Sequence, residues 1–316
     1  MSLPDPLPTF AATEAPSHDS RVSHIHRLTR ALRVHQWIKN LLIFVPLLMA
    51  HKILDGSSLL RAVYGFSAWC LCASGVYLLN DWFDLEDDRR HPYKMHRPLA
   101  AGTINSRWLW LFVPGLFLSG LGVAFFLLPA PFGWILLLYV ALTTSYSLYL
   151  KRLLIVDVLV LAALYTLRML SGGFATGIPV SPWLLAFSMF LFLSLAFVKR
   201  YTELGTLESG SREIASRRNY RTEDIEIFKT IGPASGYLSV LVLVLYINSR
   251  EVASLYRQPI ILWLVGPCLL YWITRVWLLA HRGEMHEDPI VFTVKDPASY
   301  IVGALVAAVI IAATLL

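Results

Sequence analysis

Nine long apolar runs constrain the fold of this chain more than any other feature of its sequence. A helix needs roughly 17–25 apolar residues to cross the hydrocarbon core of a bilayer, and each run has about that length. Only 15% of the residues are charged, against about 25% in soluble domains. We therefore predict an all-α fold, a nine-helix transmembrane bundle within residues 25–316. The runs cover residues 34–54, 59–79, 108–128, 132–150, 153–173, 181–198, 231–248, 259–279 and 298–316.

The basic residues predict how the bundle is oriented. The chain has a net charge of +6, which by itself would also suit a protein that binds nucleic acid. However, 22 of the 27 Lys and Arg residues lie in the N-terminal segment and in the alternate loops that share its side. Positive residues favour cytosolic loops. We therefore predict a multi-pass protein surrounded by membrane lipids, with a disordered cytosolic tail at 1–24 and no nucleic-acid partner.

An acidic motif follows the second apolar run, in a long loop on the predicted cytosolic side. If the helix continues at 100° per residue, Asn80, Asp81, Asp84 and Asp88 fall within an arc of about 100°. Grouped carboxylates repel each other unless a cation is present, and hard oxygen ligands suit Mg²⁺. We predict that these four residues bind magnesium, with Asp81 and Asp84 catalytic and Asp87 an alternative to Asp88. A merely solvated acidic helix end is the structural alternative.

Basic and polar residues near this motif predict a strongly anionic ligand. A metal ion would neutralise part of the ligand's charge, and lysine and arginine side chains would neutralise the rest. Some of these cations are also consistent with topology anchors, or with lysines that snorkel to the membrane surface. The candidate substrate-binding residues are Lys39, Asn40, Lys94, Arg97, Tyr146, Lys151, Asp157, Lys199 and Arg200.

Two ionisable residues lie inside the fifth apolar run, where a charge is costly and a functional role is the default hypothesis. Asp157 lies near the predicted cytosolic end, and we assign it to the site. Arg168 comes eleven residues later, roughly 16 Å further along a helix. Its position is equally consistent with a structural role that braces the bundle.

Together these motifs resemble the UbiA-type intramembrane prenyltransferase superfamily. The resemblance runs from about Arg33 to the C-terminus, and the pattern Asn-Asp-x-x-Asp-x-x-x-Asp at residues 80–88 is its most specific part. Within the superfamily, the remaining motifs are most similar to those of decaprenyl-phosphate phosphoribosyltransferases. These motifs are Arg33-x-His-Gln-Trp-Ile-Lys-Asn40, His91-Pro-x-Lys94, Arg97-Pro-x-Ala-Ala-Gly102, Tyr146-Ser-x-x-Leu-Lys151, Asp157 and Lys199-Arg-Tyr-x-Glu-Leu204.

One departure from the superfamily pattern bears on the substrate. Prenyltransferases that act on aromatic or haem acceptors carry a second aspartate-rich motif after the sixth span, where this chain has Lys199-Arg200-Tyr201-Thr202-Glu203. Extra cations suit a sugar that carries both a diphosphate and a phosphate. The resemblance thus implies a Mg²⁺-dependent enzyme of the bacterial inner membrane, which transfers 5-phosphoribose from phosphoribosyl diphosphate to a polyprenyl phosphate.

Two alternatives come from different functional classes. One is a prenyltransferase that moves a prenyl group from a prenyl diphosphate to a small acceptor. The other is a transporter, which would more often show broken helices and charges at the membrane midplane. Because the acidic residues of this chain cluster at one face, the sequence favours an enzyme.

Overall fold

The chain folds as helices and loops throughout the residues that the computed structural model describes. These are residues 24–90, 94–103, 107, 109–208, 219–249, 252, 255–285 and 288–316, and no strand occurs among them. The α-helices are α1 (His24–Ala31), α2 (Val45–Met49), α3 (Gly56–Phe83), α4 (Leu85–Arg90), α5 (Leu109–Phe126), α6 (Ala130–Leu148), α7 (Val156–Thr176), α8 (Pro182–Glu208), α9 (Ile225–Ile247), α10 (Val265–His281), α11 (Pro289–Lys295) and α12 (Pro297–Leu315). Short 3-10 helices occupy Val34–Phe44, Lys94–His96, Leu150–Arg152, Thr222–Asp224 and Pro259–Leu264. The predicted all-α fold is confirmed.

Eight helices in the described part of the chain are long and apolar enough to cross a membrane. They coincide with eight of the nine predicted runs. The first run, predicted at 34–54, corresponds to the shorter apolar helix Val34–Met49, whose first eleven residues are 3-10 helix. Because a 3-10 helix rises about 2.0 Å per residue instead of 1.5 Å, this segment reaches further than its length suggests. The count of nine spans stays a prediction.

Helices α3 and α7 are the most enclosed spans of the bundle. In their most apolar 18-residue stretches, 61% and 50% of the residues are buried, against 11% in α12. The helix Val34–Met49 packs directly onto α7, where a Cβ atom at Gly172 would clash with the backbone carbonyl of Ile43. Glycine permits this close approach of two backbones. As a result Lys39 and Asn40, one turn before Ile43, lie buried in the interior.

The charged residues of three central helices meet at one end of the bundle. The last turn of α3 carries Asn80 and leads directly into Asp84, Asp157 lies in the first turn of α7, and Arg200 lies in the second half of α8. The contacts described below join these elements to one another. We call this end of the bundle, defined by Asp84, Asp157 and Arg200, the charged end. Its location on the cytosolic side of the membrane stays a prediction.

Candidate functional site

A cavity of about 390 Å³ lies among α3, α6, α7, α8 and the N-terminal 3-10 helix. Six basic side chains and two carboxylates line it, together with four tyrosines. An excess of cations of this kind suits a ligand that carries several negative charges. The basic residues are Arg33, Lys39, Arg97, Lys151, Arg168 and Lys199, and the acidic ones are Asp84 and Glu203.

Two residues of the acidic motif, Asn80 and Asp84, line this cavity. They are one helical turn apart, and the amide nitrogen of Asn80 lies 3.4 Å from Oδ2 of Asp84. The Nζ atom of Lys151 lies 3.6 Å from Oδ1 of the same carboxylate. Two oxygen-bearing side chains therefore face the cavity with a cation beside them.

The other two aspartates of the motif bind arginines. Asp81 accepts hydrogen bonds from Arg33 and, at 3.1 Å, from Arg97, while Asp88 accepts one from Arg97 at 2.6 Å. Both aspartates are buried, and neither lines the cavity. Buried carboxylates require such partners, and the partners here are cavity-lining cations. For Asp81 and Asp88 to bind metal as the sequence predicts, they would have to do so beside these arginines or in place of them. Asp87, in contrast, is exposed.

The backbone of the motif departs from a continuous α-helix at Asp84. The condition under which the four residues share one arc, a helix continuous to Asp88, is not fully met, because α3 ends at Phe83 and α4 begins at Leu85. Between them Asp84 has φ −92° and ψ 8°, well outside the usual α-helical values. Hydrogen bonds still run from the Asp84 N–H to the Asn80 carbonyl and from the Asp88 N–H to the Asp84 carbonyl, and Asp81 and Asp88 both bind Arg97.

The residues at the cavity fit a magnesium ion that the substrate helps to hold. Among the described residues, no group of three or more His, Cys, Asp or Glu side chains is arranged to bind a metal by itself. Magnesium commonly takes only one or two carboxylates and completes its octahedron with water and substrate phosphates. Asn80 and Asp84 are a partial oxygen ligand set of that kind.

Lys39 and Lys199 meet at a carboxylate that the sequence analysis missed. Their Nζ atoms lie 2.8 and 3.3 Å from the same Oδ2 atom of Asp288, and we call this contact the lysine bridge. Burial by itself would raise the pKa of Asp288, but Lys199 and Lys39 hold it well below its ordinary value. The only local signal is Asp288-Pro289, a helix-start pattern. It predicts no contact with a residue 249 positions away.

Asp157 and Arg200 form a buried ion pair that joins three helices. Arg200 is 1% exposed, and its Nε atom donates to Oδ2 of Asp157 at 2.5 Å. It also donates to the hydroxyl of Tyr146 at 2.8 Å and to Glu203. The hydroxyl of Tyr220, which the sequence analysis missed, donates to Asp157. Tyr146 and Glu203 line the cavity, whereas Asp157 and Arg200 lie behind its wall and position them.

Arg168 lines the cavity three helical turns along α7 from Asp157, and it is 5% exposed. Its guanidinium donates to Oδ1 of Asn40 at 2.9 Å, to the carbonyl of Leu164 at 2.6 Å and to the hydroxyl of Tyr139 at 3.3 Å. Asn40 thus contacts Arg168 and does not line the cavity itself.

Lys94 is the remaining predicted site residue. It begins the 3-10 helix Lys94–His96, but its side chain lies outside the described residues, as do residues 91–93 of the same motif. Its predicted contact with substrate stays a prediction.

Comparison with known proteins identifies the family. The sequence profile described as the UbiA prenyltransferase family matches residues 41–295, most of the chain. The chain belongs to this family. Its membership and its apolar helices together make it a multi-pass membrane protein and a transferase.

The chain is similar in sequence to several bacterial proteins. Nodulation protein NoeC of Azorhizobium caulinodans is 35% identical over 279 residues, which are 86% of this chain and 88% of NoeC. The uncharacterized protein y4nM of Sinorhizobium fredii is 38% identical over 89% of this chain, but the chain spans only 55% of y4nM. The decaprenyl-phosphate phosphoribosyltransferase of Mycolicibacterium smegmatis is 32% identical over 211 residues, 65% of each protein.

A solved structure supports the fold. The UbiA homolog from Archaeoglobus fulgidus bound to GPP and Mg²⁺ matches with a TM-score of 0.68, over 90% of this chain and 99% of that one. The sequence identity is 18%, so this likeness establishes the UbiA-type fold alone.

Proposed function

We propose that this enzyme transfers 5-phosphoribose from phosphoribosyl diphosphate to a polyprenyl phosphate and releases diphosphate. The charge of the cavity is the observation that carries the proposal, since six cations face two carboxylates. Lys199 lines the cavity at the position where the superfamily's prenyltransferases have a second aspartate motif. The similarity to the M. smegmatis decaprenyl-phosphate phosphoribosyltransferase adds support.

The donor diphosphate is assigned to the part of the cavity next to Asn80 and Asp84. These two side chains would hold Mg²⁺, which neutralises charge on the diphosphate when it is bound. Arg97 and Lys151 lie beside them and supply fixed positive charge. Fixed cations stabilise the charge that develops on a leaving group without having to reorganise. Asp81 contributes indirectly because it orients Arg97.

The reaction exchanges one bond at C1 of the ribose. The C1–O bond to the diphosphate breaks, and an oxygen of the lipid phosphate forms the new bond to C1. Because that phosphate is already negatively charged, the step requires no general base. The lysine bridge places Lys39 and Lys199 where they can position a second phosphate-bearing group. The lipid chain stays in the bilayer throughout, and the charged end faces the cytosol, where the donor is dissolved.

The deciding experiment is an assay of the purified protein with each donor in turn. We expect diphosphate release that requires phosphoribosyl diphosphate, polyprenyl phosphate and Mg²⁺ together. Release from a prenyl diphosphate with a small aromatic acceptor, in the absence of phosphoribosyl diphosphate, would replace the proposal with the prenyltransferase alternative.

A pair of variants tests which aspartates contact the reacting groups. Asp84→Asn should lower turnover at least about 100-fold, as expected for loss of one strong electrostatic contact, and leave the unfolding temperature unchanged. Asp81→Asn should lower both the turnover and the unfolding temperature, because it removes the carboxylate charge that Arg33 and Arg97 share. Full activity of Asp84→Asn would refute the metal-site assignment.

A further inference from the structure

Arg168 is a buried charge without a counter-ion in the part of the chain that the structure describes. It is 5% exposed, and among the described residues no carboxylate lies within ion-pair distance of it. Its three protein acceptors, on Asn40, Leu164 and Tyr139, are all neutral. A guanidinium has five N–H donors, so its hydrogen-bonding capacity is not exhausted. Burial of an uncompensated charge is costly, so its place in the cavity wall needs an explanation.

The other buried arginine of α7 and α8 behaves differently. Arg200 is 1% exposed and pairs with both Asp157 and Glu203. Arg275 in α10 likewise pairs, at 2.7 Å, with Asp296, the residue that caps α12. Two arginines that line the cavity, Arg33 and Arg97, also pair with carboxylates. Arg168 differs from all of these arginines because its described hydrogen-bond partners are neutral.

Aromatic rings fix the guanidinium of Arg168 in place. Its central carbon lies 5.1 Å from the ring of Trp69, 5.0 Å from that of Tyr139 and 5.4 Å from that of Tyr165. Such contacts attract a cation but do not neutralise it. The ring of Tyr165 also has Nζ of Lys39 at 5.7 Å, so two cations share one ring. An anion bound in this part of the cavity would interact with both.

We propose that Arg168 is the binding site for a phosphate monoester at the deep part of the cavity. The proposal rests on the proposed function for its two sources of such a group, the 5-phosphate of the donor and the phosphate of the lipid acceptor. A planar guanidinium matches phosphate oxygens in a two-pronged geometry. The diphosphate is assigned elsewhere, to Asn80 and Asp84, because no carboxylate among the described residues lies beside Arg168 to share a metal ion.

The substitution Asn40→Asp tests this site with little change in shape. The new carboxylate would keep the hydrogen bond from Arg168 and supply the missing counter-ion within the protein. A purely structural Arg168 would therefore tolerate the change or gain stability from it. An anion-binding Arg168 would lose most of its attraction for phosphate, about 10- to 100-fold in affinity by the usual strength of charged hydrogen bonds. Asn248→Asp is the matched control, since Asn248 is exposed at the end of α9, outside the cavity.

The first measurement uses inorganic phosphate as the probe and needs no turnover. Phosphate should raise the unfolding temperature of the wild type and of Asn248→Asp, and raise that of Asn40→Asp much less. Equal phosphate effects in all three proteins, or none in the wild type, would overturn the proposal. If the wild type responds to phosphate but turns over neither substrate, the proposed function fails and the phosphate site stands.

The second measurement identifies the source of the phosphate. A KM that rises in Asn40→Asp only for phosphoribosyl diphosphate assigns the 5-phosphate to Arg168, and one that rises only for polyprenyl phosphate assigns the lipid. Unchanged KM values for both substrates would overturn the proposal. Arg168→Lys keeps the charge but loses the planar fork, so it should raise the same KM, and it replaces Asn40→Asp if that variant does not fold.

Discussion

The lysine bridge can be broken with one substitution that leaves the local helix intact. Asp288→Asn removes the negative charge between Lys39 and Lys199, but asparagine can still cap α11 as Asp288 does through its bond from the Ile290 N–H. The variant therefore isolates the charge interaction. The two ammonium groups would then lose the carboxylate oxygen that they share.

The size of the effect follows from how buried the bridge is. The side chains of Lys39, Asp288 and Lys199 are 10%, 14% and 31% exposed. Loss of one partner from a fully buried pair costs roughly 3–5 kcal/mol, whereas an exposed pair contributes at most about 1 kcal/mol. For this partly screened bridge we expect a loss of about 2–3 kcal/mol. At roughly 2 °C per kcal/mol, the unfolding temperature should fall by about 4–6 °C.

Thermal unfolding in detergent measures this loss, with the fluorescence of the ten tryptophans as the signal. Glu223→Gln is the matched control because it removes one negative charge from an exposed position, and it should leave the unfolding temperature unchanged. Added diphosphate should stabilise Asp288→Asn more than the wild type, since the anion can take the place of the carboxylate between the lysines. Unfolding of Asp288→Asn at the wild-type temperature would refute the reasoning.

The pH dependence has a definite sign. The pKa of Asp288 is lowered in the folded protein from its ordinary value of 3.8. A group with a depressed folded pKa stabilises the protein fully above its unfolded pKa, and this stabilisation is lost as the pH falls toward the folded value. The difference in unfolding free energy between the wild type and Asp288→Asn should therefore be constant between about pH 5 and pH 8. This difference should become smaller only below about pH 4.

Two further substitutions test the packing around the site. Asp157→Asn should destabilise the protein by about 3–5 kcal/mol in the same unfolding assay, because the buried Arg200 loses the charge of its ion-pair partner. Loss of activity with unchanged stability would instead place Asp157 in contact with substrate. Gly172→Ala should lower the unfolding temperature strongly, because the added methyl group meets the backbone carbonyl of Ile43. The control Gly122→Ala, at a helical position with open space, should be neutral or slightly stabilising; equal behaviour of the two alanine variants would contradict the described packing.

The membrane helices and the acidic motif could be predicted because both are local signals. Apolar length alone places a span, and residues four apart, such as Asn80 and Asp84, share a helix face wherever the helix is regular. The same reasoning did not distinguish the members of the motif. It had no information on the arginines that bind Asp81 and Asp88, so it grouped these aspartates with Asn80 and Asp84, which line the cavity.

The missed residues belong to contacts between distant parts of the chain. Asp288 contacts Lys39 across 249 positions, and Tyr220 contacts Asp157 across 63. Neither residue stands in a motif, and their roles depend on how helices pack around the cavity. For the same reason the sequence left two roles open for Arg168, whose neutral partners only the fold reveals.

The close packing of Val34–Met49 against α7 also sets an order of assembly. This helix is synthesised before Gly172, against which Ile43 packs, and well before Asp288, the partner of Lys39. Contacts between such distant residues form late, because the intervening chain must be ordered first. The helix Val34–Met49 therefore gains its full set of contacts only when α7 and α11 are in place. A chain truncated before Asp288 would lack the carboxylate of the lysine bridge.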